Sequence, residues 1–257
     1  MKKILLLSFA LMSFISFAQE IEESEELNKA PVDFLDIFDQ DRRDKEFVRT
    51  TTNLVVAFGF NQAIGNGNGI GDAYRFWGSG MFEVGLEFTT RLQTENDKFR
   101  FNYGLALRTN TLYINDNKGF FTNNNVTRLE PIGFDVDRSY FTQVSVVAPL
   151  HIEFGDRELQ TYKDGIKRYR EDNAFVVGLG GYLGVVSTSS QAIKFDREGR
   201  GVTAMTTNDY EVNNFIYGIS AYAGWDDIQF FATYGLNDVF KDSPLQESYV
   251  SFGIRLR

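Results

Sequence analysis

Few side chains in this sequence are equipped for chemistry, and they are scattered. The chain has one histidine and no cysteine, which removes cysteine nucleophiles and cysteine metal sites by count and takes most zinc and triad chemistry with them. The histidine stands in the run His151-Ile152-Glu153. A lipid hydrolase built on a strand wall would place a serine close by, yet none follows two residues on. A nucleophile, a base and an orienting group would also have to meet in one geometry. His151 therefore reads as a hydrogen-bonding residue on a polar face. Glu83 and Glu87 share a face, as a glycoside-hydrolysing pair would, but such a pair needs an open cleft between its acids. With arginines expected beside them, they read as structural ion pairs. The stretch Gly65-Asn66-Gly67-Asn68-Gly69-Ile70-Gly71-Asp72 lacks the G-x-G-x-x-G spacing and no helix pattern follows it. The phosphate-cradling helix start is therefore missing, and a flexible surface loop is expected. Beside it, Tyr74, Phe76 and Trp77 are placed either to touch a partner from a loop tip or to join an aromatic girdle at a membrane interface, the reading favoured here. Asn125-Val126-Thr127 matches a glycosylation acceptor by pattern alone. None of these residues implies a metal or a cofactor.

What must position these residues is a set of strands. From residue 50 the dominant signal is period-2 alternation, and eight strands are expected at about 52–62, 81–92, 98–112, 139–154, 173–187, 211–225, 227–237 and 247–257. In the second, Phe82, Val84, Leu86 and Phe88 oppose Glu83, Gly85, Glu87 and Arg91. In the third, Phe99, Phe101, Tyr103, Leu105 and Leu107 oppose Arg100, Asn102, Gly104 and Arg108. Strands near ten residues long suit a tilted bilayer crossing, whereas strands of soluble sheets average about 5–6 residues. Tight connections at Glu95-Asn96-Asp97 and around Asp226 alternate with long ones at about 63–80, 113–138 and 188–210. The exception is the long, charged connection 155–172. The expected fold is all-β: an antiparallel up-and-down transmembrane barrel of eight strands.

The polar face carries Glu83, Glu87, Arg91, Arg100, Arg108, Glu153 and Arg255 in mid-strand. Inside so narrow a ring they would sit close together as luminal ion pairs, pairing offsets their desolvation, and the lumen would be filled rather than open. Ahead of the strands, Lys2 and Lys3, an apolar run to Phe17, and Ser16 and Ala18 before Gln19 have the form of a signal peptide over residues 1–18. Losing its two lysines would take the net charge from −9 to −11, a balance that argues against nucleic acid as partner. Residues 19–49 form an acidic leader, expected to be a mobile periplasmic tail, and 50–257 form the barrel. The 25 Phe, 12 Tyr and only four Pro suit strands rather than helices.

Several segments resemble the PorT-like family of small outer-membrane β-barrels. They are Tyr140-Phe141-Thr142-Gln143, the run from Ala148 to Glu153, the run from Val177 to Val185, Tyr234-Gly235-Leu236-Asn237, Phe240-Lys241 and the run from Ser251 to Leu256. The likeness covers residues 50–257. It implies location in the outer membrane of a Gram-negative cell, with lipid around the band and insertion by the barrel-assembly machinery. It also implies an envelope protein as partner, in assembly or secretion across the envelope. The family has no shared catalytic residues to carry over. That machinery typically reads an aromatic-rich final strand; this sequence ends in Arg257 and leaves Phe252 as the nearest candidate. Other readings are a transporter or channel for a small ligand, which needs a luminal path, a lipid-modifying enzyme using His151, and a soluble periplasmic barrel with its apolar face inside.

Overall fold

The computed structural model describes residues 32–170, 174–225 and 227–257. The expected signal peptide, the leader up to residue 31 and Asp226 lie outside them. The described chain is mostly strand, and two compact units are distinguished: residues 50–157 with 174–257, and residues 32–49 with 158–170.

The larger unit is a closed ring of eight antiparallel strands. They are β1 (Thr50–Ile64), β2 (Gly80–Arg91), β3 (Phe99–Ile114), β4 (Arg138–Gly155), β5 (Phe175–Arg197), β6 (Phe215–Trp225), β7 (Ile228–Gly235) and β8 (Ser248–Leu256). Each pairs with its neighbour in sequence, and β8 returns to β1 from Val56↔Leu256 to Ile64↔Ser248. All eight expected strands are present, and closure leaves the ring without an edge, as in an up-and-down barrel. One bulge, at Val144/Ser145, interrupts the β4–β5 register.

The long connections hold more structure than alternation reveals. β5 continues ten residues beyond its expected end at 187 and turns back through Arg200–Thr207 as a two-stranded extension. The connection 113–138 contains a hairpin of Lys118–Asn123 with Val126–Pro131. Asn124 and Asn125 form its turn at φ of 50° and 61°, the positive values that a two-residue hairpin turn demands and asparagine tolerates. That is the local reason for Asn125, and Thr127 is buried beside it, donating to the Tyr210 carbonyl at 2.6 Å.

Side chains alternate across the wall with unusual polarity. Leu105 is 64% exposed, Leu179 63% and Phe230 67%, all facing outward, whereas Arg100 and Glu153 are fully buried inside. Glycines set how closely the wall can pack. Tyr222 pairs with Gly178 across the β5–β6 ladder and Tyr182 with Gly218. A Cβ at Gly178 would lie 2.1 Å from the Tyr222 ring, and one at Gly218 would lie 2.7 Å from that of Tyr182. Each tyrosine thus lies flat over the glycine opposite, reaching the lumen only because no side chain stands there.

Of the tail expected over 19–49, residues 32–49 hold local structure, and residues 19–31 lie outside the described residues. In residues 32–49, short 3-10 turns at Phe34–Ile37 and Gln40–Arg42 are held by a capping box: Leu35 donates its N–H to Asp33 and Asp33 its N–H to Asp36, both at 2.8 Å. Arg42, buried, bridges Asp33 at 3.3 Å and Asp36 at 3.5 Å. The exceptional connection supplies the rest, as a small hairpin of Leu159–Thr161 with Lys167–Tyr169. Lys167 donates its backbone N–H to the Glu46 carbonyl at 2.8 Å, and Phe47 meets Tyr169 edge-on at 5.5 Å. Within residues 32–49, Asp33 and Asp36 are thus held by Arg42 and Asp39 by Lys45.

Gly178→Ala should push the Tyr222 ring off its seat and destabilise the barrel by about 1–3 kcal/mol, the usual cost of overpacking. Equilibrium unfolding in denaturant checks this, and an unchanged midpoint would remove the packing role assigned to the glycine.

Candidate functional site

The interior of the ring divides into three zones along its axis. At the rim of short turns, where β1 starts and β8 ends, lies a dense charge network. Glu153 of β4 is its hub. Arg100 on β3, directly opposite in register, donates from Nε at 2.6 Å. Arg257 approaches the other oxygen at 2.8 Å and Arg157 lies at 3.5 Å. Tyr222 donates its hydroxyl at 2.8 Å and Asn102 its amide at 3.0 Å. Arg257 also reaches Glu87 at 3.3 Å, and Arg255 binds Glu87 at 2.5 Å and the Gln229 side chain. Arg100 also donates from Nη1 to Asp97 and to the Gly155 carbonyl. Burial pushes the Asp97 carboxyl above its ordinary range, against the pull of Arg100 and Arg157.

Midway, Glu83 pairs with Arg108 at 2.6 Å, its neighbour directly across β2 and β3. The Arg108 guanidinium lies 4.1 Å over the Tyr182 ring, and that of Arg255 lies 4.4 Å over Tyr222. Glu83, Arg108, Tyr222, Arg255 and His151 border a cavity of about 40 Å³, room for a few waters at most. His151 Nε2 stands 2.6 Å from the Ser220 hydroxyl. That serine is 69 residues away in sequence, so local spacing gave no sign of the contact. The other ring nitrogen is buried without a hydrogen-bond partner among the described residues. The pair therefore has a hydroxyl and a base but no third group to orient the base.

At the rim of long connections the lumen turns apolar. Phe120 from the 118–131 hairpin packs against Phe141 at 4.9 Å and Phe240 at 4.8 Å. Leu112, Tyr210 and Tyr249 complete an apolar plug with them.

The seven charged residues expected inside are all buried there, and six of them make three direct pairs: Glu83–Arg108, Glu87–Arg255 and Arg100–Glu153. Arg91 is buried on the same face, beside Arg100 in the ladder. Sequence reasoning did not include Asp97 and Arg157, which belong to connections, or Tyr222 and Arg257, whose parity with Ser220 and Arg255 was the available signal.

The trio Tyr74, Phe76 and Trp77 is split. Tyr74 is a correction: it is fully buried in the plug, not on a loop tip, because its hydroxyl donates to Glu247 at 2.6 Å. Phe76 stacks on Phe60 at 4.3 Å, and Trp77, 75% exposed, meets Phe60 edge-on at 5.2 Å. Both thus extend the outer aromatic surface. The glycine-rich loop is internally bonded rather than loose: Gly69 donates to Asp72 at 2.8 Å, and Asn68 donates to the Ala63 carbonyl at 2.8 Å and to Glu247 at 3.0 Å. Its glycines Gly65, Gly67 and Gly71 supply positive φ. Burial raises the Glu247 carboxyl above its ordinary range despite the two donors, and burial beside that carboxylate holds the Tyr74 hydroxyl well above 10.

Compared with known proteins, the chain matches no family model, and no curated protein matches it either.

Two outcomes follow from these contacts. Glu153→Gln would leave three guanidiniums around a neutral amide; breaking a buried ion network in this way costs about 3–5 kcal/mol. Denaturant unfolding should register that loss, and a change below about 1 kcal/mol would remove Glu153 as hub. Tyr74→Phe takes a donor from a carboxylate, worth about 1.5–3 kcal/mol while the acid is ionised. Losing that donor raises the folded-state carboxyl further, so the deficit is full above the raised value and shrinks as pH falls below it. Unfolding at pH 7.5 and pH 4 should therefore show the larger penalty at pH 7.5; equal penalties would contradict the assignment.

Proposed function

We propose that this chain is an integral β-barrel of a Gram-negative outer membrane with a filled lumen, acting as a structural or interaction protein through its long connections and not as an enzyme. The observation that carries this reading is the inverted polarity of the wall. A ring with charge inside and Leu, Ile, Phe and Val outside would expose its whole apolar belt to water at about 25 cal/mol per Å². Contiguous patches on soluble monomers seldom exceed a few hundred Å². Lipid removes that cost, and alternation of apolar-out with polar-in is the signature of membrane barrels. A soluble barrel would have the faces reversed.

The outer aromatics support the same reading. Phe60, Phe76, Trp77 and Phe252 cluster at the rim of long connections, while Phe99 with Phe154 at 5.4 Å and Phe175 with Trp225 at 5.9 Å lie at the other. Two such girdles fit the two interfaces of a bilayer. The charge network and the apolar plug leave a lumen better suited to holding the wall rigid than to passing solute, so specific work falls to the connections. Similarity of the strand segments to the PorT-like family supports envelope assembly or secretion as the setting, with an envelope protein as partner and the barrel-assembly machinery inserting the chain.

Membrane fractionation followed by electrophoresis of boiled and unboiled samples tests the reading. Recovery with the outer membrane and a band that shifts on boiling is the expected result. Recovery as a soluble periplasmic protein would overturn it.

A further inference from the structure

The ring has no open edge, but its extension does. Arg200–Thr207 pairs with β5 on one side and, among the described residues, has no strand on the other. Glu198 and Gly199 turn the chain at φ of 57° and 73°, a two-residue hairpin turn that makes Arg197 and Arg200 a hydrogen-bonded pair. From there, bonded and non-bonded pairs alternate along an antiparallel ladder. Val202, Ala204 and Thr206 therefore spend their N–H and C=O groups on β5, while Gly201, Thr203, Met205 and Thr207 point theirs away from it. Those four residues are exposed, and nothing lies within 4 Å of where a Cβ on Gly201 would stand. Natural edges are usually blunted by lysine, proline, a bulge or a covering loop. Beyond Arg200 this one has no charge, no proline and no register break.

We propose that the free edge of Arg200–Thr207 is a docking site where an extended segment of another polypeptide adds to the sheet as one more strand. The backbone groups supply the attraction and the two faces set the side chains of the guest. One face carries Ile193, Phe195, Val202 and Ala204, with Phe134 edge-on to Phe195 at 5.1 Å. The opposite face carries Lys194, Asp196, Gly201 and Thr203. A segment alternating apolar with uncharged polar residues continues both.

A second copy of this chain fits less well, an exclusion that rests on the membrane reading above. Copies in one bilayer are related by an axis along its normal. Strands tilted about 35–45° from that normal would be carried to a crossing of about 70–90°, far from the roughly 20–25° between paired neighbours.

The test uses the full chain in detergent micelles and a fluorescent ten-residue peptide of alternating valine and threonine with a lysine at each end. Saturable binding is expected, with slowed amide exchange at Gly201, Thr203, Met205 and Thr207 and unchanged exchange at Val202, Ala204 and Thr206. Thr203→Pro removes an outward N–H without removing a rung to β5 and should weaken binding at least tenfold, whereas Thr203→Val should leave it unchanged. Should the proline variant fail to fold, the same peptide with alternate N-methylated amides serves instead, and its failure to bind supports the proposal. Absence of saturable binding, or equal binding by the proline variant or the methylated peptide, would overturn it. A dimer in sedimentation that Thr203→Pro dissolves would overturn the choice of occupant. Fractionation decides the membrane reading separately, so peptide binding by a chain recovered as soluble would retain the docking edge and discard only the bilayer argument.

Discussion

A carboxylate ringed by guanidiniums inside a closed wall is the constraint from which the rest of this structure follows. Glu153 meets Arg100 from β3, Arg157 from the connection after β4 and Arg257 from just beyond β8, so its charge ties together separate parts of the ring. Buried ions lose several kcal/mol of hydration each and recover it only with good geometry and every lone pair used. Tyr222 and Asn102 supply the remaining donors. The small bore of an eight-stranded ring brings these partners to Glu153, since side chains from opposite walls can touch. Steric room comes from Gly178, which lets Tyr222 lie flat and place its hydroxyl on the acid.

The two ends of the lumen solve the same filling problem with different chemistry. Near the short turns it is charge, and near the long connections it is stacked rings contributed partly by the connections themselves, Phe120 and Phe240 among them. Tyr74 and Glu247 join the zones of the plug by a hydrogen bond within an otherwise apolar cluster. The connections are therefore part of the filling, not ornaments on a finished barrel.

Much of this was legible in the order of residues because a period of two is hard to mistake. Parity alone put Glu83, Glu87, Arg91, Arg100, Arg108, Glu153 and Arg255 on one face, and the structure buries all of them. Pairing was partly legible too, since Glu83 with Arg108 and Arg100 with Glu153 are neighbours across single ladders. Arg255 with Glu87 was not, because they sit on β8 and β2 with β1 between. Where the chain leaves the strands, parity says nothing: Asp97 and Arg157 turn inward from connections, and Tyr74 leaves a loop for the core. The fold of residues 32–49 was hidden for a related reason. Its turns are three and four residues long, too short for any periodic signal, and its stability comes from Asp33, Asp36 and Arg42 meeting in space.

The length of β5 has a mechanical consequence. Its 23 residues, at about 3.3 Å each, make a rod of roughly 75 Å from the turn at Glu198 down to Phe175, passing Gly178, the ladder neighbour of Glu153. A force drawn along that rod loads the rungs to β4 and β6 in shear, all at once, so the wall resists as a whole. A force drawn sideways on Arg200–Thr207 meets its rungs one at a time and peels. The same hairpin is thus stiff to tension along the barrel strands and compliant to lateral pull, and traction from outside would be resisted or released according to its direction.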